Sequence, residues 1–487
     1  MAYLLAQVRL NYTNVTMFSN FLKITLRNFS RNKSYVFINL LGLGLSLACC
    51  IVGYLNWKFG ADYDQNHINH ARIYKIHSYK LVQGERVPYG ITPLALGKQL
   101  EDKIPGVSHV SRHETITYVI KKDKNVLEQR VGFGEDDFFE MFTYPFKYGD
   151  KSALLDKSKI ILTEAMAIAY FGDVDPRGER ITLIDNNGKE NTLIVGGVLE
   201  KIPLNTSMFF NAFTHYDNYL KFRGVENDDW RIFNAATFVM TDGQYPQNLL
   251  DYCNDNFLEI QNKARNDFQI AGYYLEQLTT LAKNSERIRS NWLNDPPPSS
   301  AIIGPVIMAI QLLLIACFNF TNTSIAVSSR RLKEIGIRKV MGSRRKQLIF
   351  QFMGENLILC FGALLVGLAI ADALVPAYSA LWSFIDLELN FSKDPEIYLF
   401  LAGLLVVTAL IAGAYPSLYI SKYQPVKILR GNLQLGGSSM FSKVLLGAQY
   451  MITALALISA LSFFNNTKYQ AAFDLGYSKD KRLSINV

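Results

Sequence analysis

Long unbroken apolar runs alternate along this chain with stretches in which apolar and polar positions mix. The runs lie at residues 35–55, 301–323, 347–378, 397–417 and 443–464. Each is near the ~20 residues that cross a bilayer as an α-helix. Spans are therefore predicted there, the third with an interfacial start. Ahead of the first run, Phe21, Ile24, Thr25 and Asn28 recur at helical spacing, with Lys23, Arg27, Arg31 and Lys33 around them. That pattern predicts a basic amphipathic helix on a membrane face. The run that follows is full length with no convincing cleavage site, which argues against a secretory signal peptide. Gly42, Gly44, Ser46, Ala48 and Gly53 place small side chains along the first span, where another helix can approach closely.

From residue 56 to 300 the period shortens. The stretch 160–162 reads as a buried strand, with Thr163 capping a helix that Gly172 ends. Asp185-Asn186-Asn187-Gly188 is a tight turn joining 181–184 to 192–195 as a hairpin. This part reads as one large water-facing α/β domain.

The segment 324–346, between the second and third runs, is different again. It holds Arg330, Arg331, Lys333, Arg338, Lys339, Arg344, Arg345 and Lys346, opposed only by Glu334. It is helical by pattern. Leu332, Ile335 and Lys339 share one face, Ile337, Val340 and Met341 lie beside it, and Arg330, Glu334 and Arg338 repeat at i,i+4. Gly342 stops the helix, and Ser343 is placed to cap the next. An amphipathic helix with a charged rim, tied to two spans, is suited to being held by a soluble partner.

Charge then settles the sidedness. The net charge is +8, but residues 56–300 hold 28 basic and 33 acidic residues, a balance of −5, which leaves +13 for the remainder. Basic loops stay in the cytoplasm. Residues 1–34, 324–346 and 418–442 are thus predicted inside. The large domain and the acidic loop 379–396, with Asp386, Glu388, Asp394 and Glu396, are predicted outside. Positive charge gathered beside spans argues against nucleic acid as a partner. Cys49, Cys50, Cys317 and Cys360 lie in apolar runs and only Cys253 in the large domain, so no disulfide is expected within it.

The segment Arg331-x-Lys333-Glu334-Ile335-Gly336-Ile337-Arg338-Lys339-Val340-Met341-Gly342-Ser343 closely resembles the coupling helix of the FtsX/MacB-type ABC transporter permeases. Other landmarks resemble the same family: Tyr63-Asp64 with Arg72-Ile73-Tyr74, Thr92-Pro93-Leu94, Asp137-Phe138-Phe139, Gly149-Asp150, Pro176-x-Gly178, Gly196-Gly197 and Tyr415-Pro416. The resemblance implies an α-helical transmembrane bundle carrying a large exported α+β MacB-type periplasmic core domain. It also implies a multi-pass inner-membrane location with a cytoplasmic N-terminus. On this resemblance Arg331, Lys333, Glu334, Ile335, Gly336, Ile337, Arg338, Lys339, Val340 and Gly342 contact a separate MacB-type ATP-binding subunit. ATP and Mg would sit on that subunit, and none would be bound by this chain. The family's usual opening begins near a position equivalent to Met17. The fifth run, with Gln449 and Asp474-Leu475-Gly476-Tyr477 in residues 465–487, resembles the start of the second half of long, duplicated members. Further partners implied are a second permease copy or the remaining half, a periplasmic adaptor, and membrane lipids.

The family implies mechanotransmission, in which ATPase closure moves the coupling helix and the spans relay that motion outward for export of peptides, drugs or lipoproteins. Its cell-division members imply an alternative, a scaffold that activates an exterior cell-wall hydrolase. No G-x-x-x-x-G-K-[ST] loop, H-E-x-x-H or G-x-S-x-G occurs, so neither an ATPase nor a hydrolase is expected in the chain itself. His67, His70 and His77 read as surface histidines rather than metal ligands. Asn319 and Asn322 are candidates for interhelical hydrogen bonds, and Asp372 is an ionisable group within a span.

Overall fold

The computed structural model describes residues 21–100, 104–185, 188–242, 246–294, 296–329, 332–421 and 440–473. The expectations for residues 1–20, the centre of the 185–188 turn, the loop 422–439 and the segment after 473 lie outside them. Two compact units emerge, one built of long apolar helices and the other of residues 58–299. In chain order, α1 (Lys33–Ala61) leads into β1 (Ile73–Val82), β2 (Glu85–Tyr89), β3 (Thr92–Pro93), α2 (Leu94–Leu100), β4 (Val107–Lys122) and β5 (Asn125–Gly134). Next come α3 (Phe138–Met141), β6 (Phe146–Tyr148), β7 (Lys159–Thr163), α4 (Glu164–Phe171), β8 (Arg180–Ile184), β9 (Glu190–Leu199), β10 (Ala212–His215) and α5 (Tyr216–Arg223). Then follow β11 (Phe233–Asn234), β12 (Ala236–Thr241), α6 (Gln247–Ala264), β13 (Ile270–Gln277) and α7 (Leu278–Asn284). The chain continues through α8 (Ser299–Ser329), α9 (Leu332–Val340), α10 (Arg345–Ser379), α11 (Glu396–Ser421) and α12 (Met440–Ala472).

The α/β unit is organised by one sheet in the order β13-β1-β12-β4-β5-β10-β7-β9-β6, with β2 on β1 and β8 on β4 and β9. Its pairs are antiparallel except β5 with β10 and β7 with β9. Local chemistry explains the pieces. The Thr163 hydroxyl accepts from Met166 N at the start of α4, and Gly172 ends that helix at φ +78°. β8 and β9 pair from Ile184 with Glu190, closed by Asp185 N donating to Lys189 O at 3.1 Å. Gly149 turns at φ +77° and lies so near Gly196 and Gly197 that a Cβ would stand 2.8 Å from Gly196 O. A side chain there would part β6 from β9. Helices cover the sheet, and the packed side chains form three apolar clusters, around Phe133, Phe213 and Val239.

Charged groups are buried between these clusters. Arg112, 1% exposed, forms an ion pair with Glu135, donates from Nη1 to Leu94 O at 3.0 Å and lies 4.5 Å over the Tyr216 ring. Asp64 is fully buried. It accepts from Ser207 N at 2.7 Å and Thr206 Oγ1 at 3.0 Å, bonds that draw the 206–208 loop to the turn after α1. Burial lifts its carboxyl to about 6 against those bonds. His67 is buried too and accepts from Thr143 N at 3.1 Å, while His77 stacks on Tyr274 in the sheet. Neither is the surface histidine expected from sequence: Phe142 and Tyr144 pack on the His67 ring, and His77 lies within β1 opposite Tyr274 of β13.

Glu114 gives the domain a predictable pH response. Its carboxylate accepts from Ala235 N at 3.0 Å and Thr115 N at 3.3 Å, and burial raises its pKa from 4.5 to about 7. The folded state therefore holds this proton where the unfolded chain has lost it. The resulting stabilisation is complete below about pH 4.5 and is lost as pH rises through about 7. Attraction to Lys75, itself held down near 7 by burial, offsets part of the loss. Glu114→Gln removes the titration. The stability of wild type relative to this variant is expected to fall by on the order of 2 kcal/mol between pH 4.5 and pH 8. Thermal unfolding of both proteins at the two pH values measures it, and parallel pH profiles would refute it.

In the helical unit, α1, α8, α10, α11 and α12 are each long and apolar enough to cross a membrane. Gly44 and Gly367 bring α1 against α10, since a Cβ on Gly367 would stand 2.9 Å from Gly44 O. Ser46 reaches Leu312 O at 3.3 Å on α8, whereas Gly42 faces open space. The interhelical hydrogen bonds expected of Asn319 and Asn322 come instead from their neighbours. Thr321 Oγ1 donates to Ala412 O at 3.1 Å and Thr323 Oγ1 to Asn39 Oδ1 at 3.4 Å. Rotation of α8 about its axis turns the threonines to α11 and α1. Asp372 lies exposed on α10.

Candidate functional site: the basic segment between α8 and α10

α9 is short, and its charges suit its ends. Glu334 is in the first turn, and Arg338 and Lys339 are in the last, each opposing the partial charge of the helix terminus. Glu334 also pairs with Arg338 at 2.5 Å across one turn. Gly342 ends the helix at φ +99°, a conformation that favours glycine, with Ser343 N donating back to Arg338 O at 3.0 Å. Ser343 is not the cap of the next helix. α10 begins at Arg345, and the Gln347 side chain closes its first turn by accepting from Arg344 N at 2.9 Å.

One side of α9 is fastened to its own chain. Ile335 is 3% exposed and packs with Leu348, Phe352 and Tyr419, and Gly336 is buried beside it. Lys339 Nζ donates to Ser421 O at 2.7 Å, and Arg345 Nε donates to Ser421 Oγ at 3.3 Å. Burial, then the neighbouring Arg345, depresses the Lys339 pKa. The helix is thus pinned to the beginning of α10 and the end of α11.

The other side is open. Ile337 is 52% exposed, Val340 65% and Met341 81%. Of the residues expected to face a partner, Glu334, Ile337 and Val340 are exposed, and Gly342 forms the turn. Ile335 and Gly336 are buried instead, because Leu348 and Phe352 of α10 and Tyr419 of α11 pack over that side of α9. Lys339 is spent on Ser421, and Lys333 lies within α9, while Arg331 is outside the described residues. Met341 was absent from the expected set. Its position four residues after Ile337 was the signal that could have found it.

A family model of the MacB-like periplasmic core domain matches residues 36–248, and one of the FtsX-like permease C-terminal region matches residues 306–425. The chain belongs to the FtsX/MacB-type permeases. The basic segment lies within the second match, between two helices able to span a membrane, so the permease is a multi-pass membrane protein. Among curated proteins it is similar to the macrolide export ATP-binding/permease protein MacB of Bdellovibrio bacteriovorus, 28% identical over 140 residues. That alignment covers 28% of this chain and 20% of the relative. The MacB of Neisseria meningitidis serogroup A is 23% identical over 219 residues, covering 45% of this chain and 30% of the relative. The permease thus aligns with less than a third of either relative's length. Among solved structures, a permease domain from Porphyromonas gingivalis covers 49% of the chain and 98% of that domain at 21% identity and a TM-score of 0.35. The periplasmic region of MacB from Actinobacillus actinomycetemcomitans covers 44% and 92% at 11% identity and 0.31.

Proposed function

We propose that this chain is the permease subunit of an ABC transporter in the inner membrane, coupling ATP hydrolysis by a separate subunit to movement of its periplasmic domain. The observation that carries this reading is the two-sided character of α9. Ile335, Lys339 and Arg345 hold it to α10 and α11, while Ile337, Val340 and Met341 present apolar surface that the described residues leave exposed. A helix that only anchored the membrane by its charges would not need to be fastened in this way. A push on its open face is delivered to the ends of two spans. The basic charge around α9 supports a cytoplasmic side for it, and the acidic balance of residues 56–300 supports an exported side for that domain. Export of peptides, drugs or lipoproteins is the activity this arrangement serves, with ATP and Mg held by the partner.

Two experiments test the reading. A membrane-impermeant thiol reagent applied to intact cells should label Lys189→Cys and spare Met341→Cys, and the reverse pattern would overturn the topology. The chain in lipid nanodiscs should also bind a cognate MacB-type ATP-binding subunit and raise its ATP turnover. A subunit whose turnover ignored the permease would remove the coupling.

A further inference from the structure

The open face of α9 accounts for how a partner holds it, but not for how its movement enters the helices. A second set of contacts supplies the path. Arg338, while paired with Glu334, also donates from Nη1 to Gln351 Oε1 at 2.9 Å. Gln351 Nε2 in turn donates to Glu355 Oε1 at 3.3 Å, one turn further along α10. Glu355 and the adjacent Asn356 are 6% and 8% exposed, unusual burial for such side chains in an apolar helix.

α1, α8, α10 and α11 meet at this point, with Phe29 of the helical stretch ahead of α1 beside them. A cavity of about 30 Å³ is lined by Tyr35 of α1, Ser324 of α8, Glu355 and Asn356 of α10, and Pro416 and Ser417 of α11, among others. α11 comes so near that a Cβ on Gly413 would stand 2.8 Å from Asn356 Nδ2. Its lining mixes polar groups with Phe29, Val327, Phe352 and Leu359, and it has room for about one or two water molecules. Apolar helix packing tolerates small slips, because dispersion contacts are short-ranged but undirected. A hydrogen bond between buried groups is directional and weakens steeply with misalignment, so it fixes register.

We propose that Arg338, Gln351 and Glu355 form a polar relay that ties the position of α9 to the junction of α1, α8, α10 and α11, with Glu355 as its positioning residue. This rests on the proposed coupling to an ATPase. Gln351 is suited to the middle place, since its amide offers an acceptor to the guanidinium and a donor to the carboxyl at once. Reversing the amide would set N–H against N–H at Arg338. Displacement of α9 therefore either moves Glu355 or breaks the chain. Because Lys339 and Ile335 still hold α9 when the relay is cut, its loss leaves the helix attached but loosely oriented.

The test uses the full chain in lipid nanodiscs with Gln351→Leu, Glu355→Leu, their double variant and Glu355→Gln. Hydrogen–deuterium exchange of the α9 amides reads the orientation of α9 in the chain alone. Stimulation of ATP turnover in the partner subunit reads transmission. Gln351→Leu and Glu355→Leu are each expected to speed exchange roughly fivefold, as loss of one net hydrogen bond predicts. Each should also lower stimulation, the double variant being no worse than either single. Glu355→Gln, which keeps an acceptor for Gln351, should behave as wild type. Wild-type exchange in Gln351→Leu, additive effects in the double variant, or faster exchange with full stimulation would each overturn the relay. Absence of stimulation by the unaltered chain would instead overturn the coupling function, while the exchange data would still report on the contacts.

Discussion

Ile337→Asp and Val340→Asp are each expected to weaken binding of the ATP-binding subunit roughly 30- to 1000-fold, about 2–4 kcal/mol, the loss typical of a central contact. Both side chains are more than half exposed and join no apolar cluster among the described residues, so membrane insertion and folding should be unaffected. The mechanism is desolvation: a carboxylate carried into an apolar groove keeps no partner there. Ile335→Asp should fail differently. It places the charge among Leu348, Phe352 and Tyr419, detaching α9 from α10 and α11 before any partner arrives. Exchange at α9 should rise in Ile335→Asp and stay unchanged in Ile337→Asp. Lys346→Ala, on the exposed start of α10, should bind nearly normally. Co-purification of the two subunits measures all four variants. Wild-type binding by both Ile337→Asp and Val340→Asp would show that the open face is not the docking face.

Glu135→Ala is expected to destabilise the periplasmic core domain by about 3–5 kcal/mol, the usual consequence of leaving one member of a buried ion pair alone. Arg112 is 1% exposed and receives its charge compensation from Glu135, which also accepts from the Arg112 backbone N–H at 2.9 Å. Tyr216 and the Leu94 carbonyl remain in contact with the guanidinium but carry no formal charge, and Asp217 acts on it only as a weaker, longer-range charge. Replacing both partners, as Arg112→Met with Glu135→Leu, should recover much of the loss, because no charge then remains to be buried. Thermal unfolding of the full-length variants checks this. A Glu135→Ala protein as stable as wild type would mean that water reaches Arg112.

Several features of this permease were legible from sequence because their cause is local. The length of an apolar run is set by what a bilayer demands, and the charge split needs only a count. Thr163, Gly172 and Gly342 act on backbone within a few residues, so their roles in capping and ending helices could be read directly. The basic segment was likewise visible as a run of residue types. Other features had no local cause. Ile335 and Ile337 are the same residue two positions apart, yet one is buried and the other open. Leu348, Phe352 and Tyr419 decide which, and Tyr419 is brought there by a different helix. Arg112 and Glu135 look like ordinary charges until the pairing of β4 with β5 brings them together in the interior. Glu355 reads as a polar residue at the start of a span until α1, α8, α11 and the helical stretch carrying Phe29 close around it. Local patterns determine which elements form. Which face of each turns inward depends on surfaces that meet only after the chain has folded, and that choice was made by tertiary packing.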